Sequence, residues 1–83
     1  MFPTIQPMGT IYKTGKFTIR VNGFEHPPVH AHVLHTDGKA MVYLNGTVKN
    51  TGIPAAVMAE AQDWIAANTQ VIITEWNTCN PKA

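Results

Sequence analysis

The chain has one cysteine, Cys79, in 83 residues, so no intramolecular disulfide can staple it and no cysteine-rich metal site can form. Charge is also sparse: charged residues make up 13% of the chain, no run of one sign occurs, and the formal net charge is +1. Such a total does not by itself demand nucleic acid or an acidic membrane as partner. No apolar run approaches the roughly 18 residues of a membrane span, and Met1-Phe2-Pro3-Thr4 lacks the basic segment and apolar core of a secretory leader. No Gly-rich phosphate loop, Ser-His-Asp order or carboxylate pair stands out. A reduced thiol without leader or span points to a cytoplasmic protein with no membrane partner.

What is present is a core. Hydrophobic residues make up 45%, which suits a packed globule, and a chain of this length builds one domain, residues 1–83, burying roughly 60 to 65% of its unfolded surface. Thr10-Ile11-Tyr12-Lys13 reads as a short edge strand ended by Thr14-Gly15. Lys16-Phe17-Thr18-Ile19-Arg20-Val21 alternates polar and apolar, as a strand covered on one face should. Asn22-Gly23 and Pro27-Pro28 frame a loop, and Val29, Ala31 and Val33 then alternate with His30, His32 and Leu34. Asp37-Gly38 signals a hairpin into a strand over residues 39–44, closed by Asn45-Gly46.

From Pro54 the spacing turns helical, with Val57, Met58, Ala61, Trp64 and Ile65 on one face. In residues 71–76, β-branched residues favour a strand, whereas Ile72, Ile73, Trp76 and Cys79 fit a helical stripe, and local signals leave the choice open. The expected fold is α+β: a three- to four-stranded antiparallel meander with one or two C-terminal helices packed on one face. The opposite face then carries Lys16, Thr18 and Arg20, His30 and His32, and Lys39, Met41 and Tyr43, a concentration of cations and histidines that the net charge conceals.

Several residues together carry a family resemblance: Pro3-Thr4-Ile5, Glu25-His26, a Pro-Pro followed by histidines at alternate positions, residues 39–44 after a turn, Asn50-Thr51-Gly52-Ile53 before a helix, and Glu75-Trp76. On these the chain resembles the short prokaryotic proteins of domain-of-unknown-function family four-one-six-zero. Members commonly show Glu/Asp-His-x-Pro-Pro-His-x-His; here the prolines come one place earlier and Val29 separates them from His30, while the spacing of His26, His30 and His32 is kept. The resemblance implies a toxin-antitoxin-like gene context with a small partner protein encoded nearby, and a second helix ending at Trp76 or a little beyond.

The concentrated chemistry lies at histidines 26, 30, 32 and 35. Side chains two apart on a strand point the same way about 6.6 Å apart, so His30 and His32 address one site. His26 closes it from the stiff Pro-Pro loop, and His35 has the opposite parity or lies in the turn. Two imidazoles near neutrality can take a proton from one oxygen and give one to another, and RNA supplies its own nucleophile in the ribose 2′-OH. His26, His30 and His32 are therefore the candidate catalytic residues, and Arg20, Lys16, Lys39 and Tyr43 the candidate substrate-binding ones. This chemistry needs no metal and no cofactor.

The functional expectation is a toxin-like, nucleic-acid-directed component of a two-gene toxin-antitoxin or phage-defence module, acting on RNA through histidine chemistry. Two other readings stand beside it. His26, His30 and His32, with Glu25 or water as the fourth ligand, have spacing that permits a metal site. Equally, the outward face can serve a binding module that performs no chemistry, meeting a protein or nucleic acid through Leu34, Met41, Tyr43 and the cations. Glu25 is a candidate to orient His26. Trp64 and Trp76 read as core anchors, and Cys79, with no His or basic neighbour, does not read as a nucleophile.

Overall fold

Period-two alternation separated by short turns makes neighbouring strands antiparallel. The computed structural model, which describes residues 10–23 and 25–80, contains such a meander: β1 (Thr10–Lys13), β2 (Thr18–Arg20), β3 (His30–His35), β4 (Gly38–Tyr43) and β5 (Val48–Thr51), in that order across one sheet. Two helices follow, α1 (Ala55–Ala67) and α2 (Thr69–Cys79). The Pro3-Thr4-Ile5 segment lies outside the described residues.

β5 is the strand that patterning does not reveal. Val48-Lys49-Asn50-Thr51 has one apolar residue and all four positions are exposed, so no burial imprints a period. Its existence follows from the turn before it. Gly46 adopts φ 102°, which a side chain rarely tolerates, and the turn is closed by Gly46 N–H to the Tyr43 carbonyl at 3.0 Å and Tyr43 N–H to the Thr47 carbonyl at 2.8 Å.

The β3–β4 turn is Thr36-Asp37, because His35 pairs with Gly38. Gly38 thus opens β4 instead of completing the turn, and its lack of a side chain has a different cause. A Cβ there would stand 2.0 Å from the Thr51 carbonyl oxygen and 2.8 Å from the Gly52 backbone. The end of β5 crosses the start of β4 too closely for any other residue.

One sheet face carries the core: Phe17, Ile19 and Val21, then Ala31 and Val33, then Ala40 and Val42, all buried. Complete burial of a side chain such as Ile19 contributes about 2 kcal/mol. Val29 and Leu44, expected in the same set, are only partly buried where the strands end. From α1 come Met58, Ala61 and Ile65, and from α2 Ile72 and Trp76, while Val71 is 44% exposed. That pattern is helical, so packing decides the open question of residues 71–76 against the β-branched local preference. Asn68 separates the helices, its side-chain amide donating to the Trp64 carbonyl at 2.8 Å.

A register irregularity in β1 places Tyr12 opposite Ile19, on the helix side. There the Tyr12 ring stacks on Trp64, centroids 4.6 Å apart. The segment before β2 is a turn built on Thr14, whose hydroxyl accepts the Lys16 and Phe17 N–H groups at 2.9 and 3.1 Å. Lys16 therefore does not extend β2 outward but turns to Glu60 on α1, Nζ to Oε2 3.2 Å.

Candidate functional site

The loop from β2 to β3 folds back over the first residues of β3, and α2 holds it there. Asn80, just past α2, accepts the Glu25 N–H at 2.7 Å through Oδ1 and donates through Nδ2 to the Asn22 carbonyl at 3.0 Å. Arg20 Nε donates to Asn22 Oδ1 at 3.0 Å. Glu25 is thereby delivered to the histidines. Its Oε1 lies 2.5 Å from His30 Nε2 and 3.0 Å from His32 Nε2.

His30 is enclosed, with 3% of its surface exposed, against the outward position that its parity predicts. The parity itself holds, since His30 pairs with Tyr43 and His32 with Met41. What covers the ring is the folded-back loop and its aromatic neighbours: Tyr43 at 4.5 Å, Trp76 at 5.1 Å and His32 at 5.2 Å between centroids. Its Nδ1 lies 2.8 Å from the Pro28 carbonyl. A carbonyl only accepts, so Nδ1 carries a hydrogen, and the Nε2 contact to Glu25 needs a second proton, on nitrogen or on oxygen. The buried pair is complete when it shares that proton.

Burial pushes the Glu25 carboxyl pKa upward, but hydrogen bonds from His32 and His30, and then their positive charge, outweigh it; the net is a carboxyl below its ordinary value. Glu25 and His32 keep partial access to solvent, with side chains 27% and 19% exposed. Arg20 pairs with His32 across the β2–β3 ladder, so the two share the open face. The Cys79 thiol is pushed up by burial and by the Glu75 carboxylate that its Sγ faces at 3.5 Å, despite the opposing charge of Arg20. It stays protonated and is no nucleophile.

The expected site residues separate into two groups. His30, His32, Arg20 and Tyr43 come together at one end of the open face. His26 is exposed and outside the cluster. Lys16 is committed to Glu60. Lys39 pairs with Leu34, about 13 Å along β4 from Tyr43 at about 3.3 Å per residue. His35 lies at the β3–β4 turn, its Nδ1 accepting the Asp37 N–H at 3.0 Å. Sequence reasoning missed Glu25 as the shared partner of both strand histidines, Asn80 as its anchor, and Lys49, whose Nζ lies 5.7 Å from the Tyr43 ring centre. Loop residues have no periodicity to read, and Asn80 stands 55 residues from Glu25.

Glu25, His30 and His32 could also hold a metal ion, since one donor atom from each lies within 4.8 Å of the others. Tetrahedral ligands at about 2.0–2.1 Å from an ion stand about 3.3 Å apart. The 2.5 Å contact between Glu25 and His30 is shorter than that spacing and lies at the short end of charge-assisted hydrogen bonds.

Among known proteins, the family model described as "Domain of unknown function (DUF4160)" matches residues 16–77. No curated protein and no solved structure matches the chain.

Proposed function

We propose, on the premise that the chain belongs to the DUF4160 family of domains of unknown function, that it is a toxin-like component of a prokaryotic two-gene module that cleaves RNA in the cytoplasm by metal-independent acid–base chemistry. The observation that carries this reading is the single carboxylate oxygen of Glu25 placed against the Nε2 atoms of His30 and His32, with Arg20 opposite His32. An accessible carboxylate, an accessible imidazole and a cation then meet at one place.

In the proposed step Glu25 takes the proton of a ribose 2′-OH while the oxygen attacks the adjacent phosphorus. Protonated His32 gives its proton to the departing 5′-oxygen. The products are a 2′,3′-cyclic phosphate and a free 5′-hydroxyl, and the proton left on Glu25 returns to His32 across their 3.0 Å contact, so the site resets. Arg20 stabilises the charge that develops on the phosphoryl oxygens. His30 is a positioning residue: it is too enclosed to touch substrate, and it holds Glu25 from behind.

The test is purified protein with a short RNA and its 2′-deoxy counterpart. Cleavage of the RNA alone, leaving a cyclic phosphate and unaffected by a chelator, is the expected result. A chain that cuts neither strand and does not slow growth when expressed alone would overturn the proposal in favour of a binding module without chemistry.

A further inference from the structure

The sheet pairing sorts charge in a way that the total conceals. Lys13, Thr18, Leu34, Lys39 and Thr51 stand opposite one another in one row across the open face. Arg20, His32, Met41 and Lys49 form the next row, about 6.6 Å away at about 3.3 Å per residue. Each row thus has a cation towards either edge. These are four of the six Lys and Arg residues of the chain, Arg20 also donating to Asn22 Oδ1 and Lys49 lying over the Tyr43 ring; Lys16 pairs with Glu60, and Lys82 lies outside the described residues.

The five acidic residues are elsewhere. Glu60 and Asp63 are on α1 and Glu75 on α2, Asp37 is in the β3–β4 turn, and Glu25 is taken up by the histidines. No row position is itself acidic, but the Glu25 carboxylate reaches the second row, 3.0 Å from His32 Nε2. Between the cations lie Leu34, 37% exposed, and the half-buried Met41.

We infer that this open face binds a single-stranded RNA segment, its phosphates over Lys13, Arg20, Lys39 and Lys49 and its bases against Leu34 and Met41, leading the strand to the Glu25–His32 pair. Charge complementarity selects a polyanion. The interleaved Leu34 and Met41 offer apolar contact to bases that a single strand exposes, whereas a duplex presents its phosphates outward and leaves the two side chains uncovered. The choice of RNA over DNA rests on the proposed cleavage chemistry; the binding of a single strand does not.

The test uses a fluorescein-labelled 12-nucleotide RNA with 2′-O-methyl riboses, which cannot be cleaved, and its duplex with a complementary strand, in anisotropy titrations across a salt series. The single strand is expected to bind at least tenfold more tightly than the duplex. For four phosphates neutralised, log K should fall with log salt at a slope of about −3, at about −0.7 per contact. The Lys39→Ala/Lys49→Ala double variant should lose about 1.4 from that slope and bind at least tenfold more weakly at low salt, with an unchanged melting transition. Binding with this pattern by a protein that cleaves nothing keeps the face and removes the catalytic reading. Cleavage of a dinucleotide by wild type, with equal oligonucleotide binding by wild type and double variant, removes the face and keeps the catalytic site. Equal affinity for the duplex, or an acidic protein partner that needs Lys39 and Lys49 while RNA does not bind, also overturns the inference.

Discussion

His30 and His32 stand two residues apart on β3 and face the same side of the sheet, yet their side chains are 4% and 19% exposed. The loop that delivers Glu25 closes over one ring and leaves the other at the rim. Identical residues at equivalent parity therefore sit in different surroundings, and the proposed function gives them different duties, His30 holding the site together and His32 meeting a substrate.

Their alanine variants should separate accordingly. His30→Ala removes a ring packed against Tyr43 and Trp76 with both nitrogens partnered, and should lower stability by about 2–4 kcal/mol. His32→Ala should cost less than about 1 kcal/mol while reducing RNA cleavage roughly 10²- to 10⁴-fold. Denaturant melts alongside cleavage rates check this; equal destabilisation by the two changes would contradict the division of roles.

Glu25 leads to an acid-side prediction whose sign follows from its lowered carboxyl pKa. A carboxyl with a pKa lower in the folded than in the unfolded chain contributes stability above the unfolded value, about 4.3, and loses it as pH falls through the folded one. The melting-temperature advantage of wild type over Glu25→Gln should be present at pH 5 and shrink on acidification below about pH 4.3. An advantage that stays constant down to pH 2.5 would mean that the carboxylate is not held by the histidines.

Protein purified without a histidine tag should contain less than about one-tenth of an equivalent of zinc, nickel or copper, since a genuine structural site would bind tightly and keep its ion. Elemental analysis decides it. Near-stoichiometric metal would reassign Glu25, His30 and His32 as ligands and end the metal-independent mechanism.

Gly38 and Gly15 offer a contrast of packing. A Cβ at Gly15 meets nothing within 4 Å, whereas one at Gly38 meets the Thr51 carbonyl oxygen at 2.0 Å. Gly38→Ala should therefore force β4 and β5 apart and cost at least about 2 kcal/mol, with Gly15→Ala within about 0.5 kcal/mol of wild type. Thermal melts of the two variants give the comparison.

Legible in the chain alone is whatever one element repeats along its own length. Alternation in residues 17–21, 29–34 and 39–44 is enough to place Ile19, Val33 and Val42 inward and Arg20, His32 and Met41 on the opposite face, and helical spacing after Pro54 is enough for α1 and hence for the α+β class. Tertiary structure decided everything that depends on a second segment. Burial of Ile72 and Trp76 made α2 a helix where β-branched residues left the choice open, and backbone pairing with β4 made β5 a strand without an apolar pattern. Glu60 drew Lys16 off the open face, and Asn80 set Glu25, in place of His26, against the histidines. The physical reason is range: periodicity records which side of one element is buried, while the partner of a loop carboxylate is chosen by contacts between residues far apart in the chain, which no local pattern encodes.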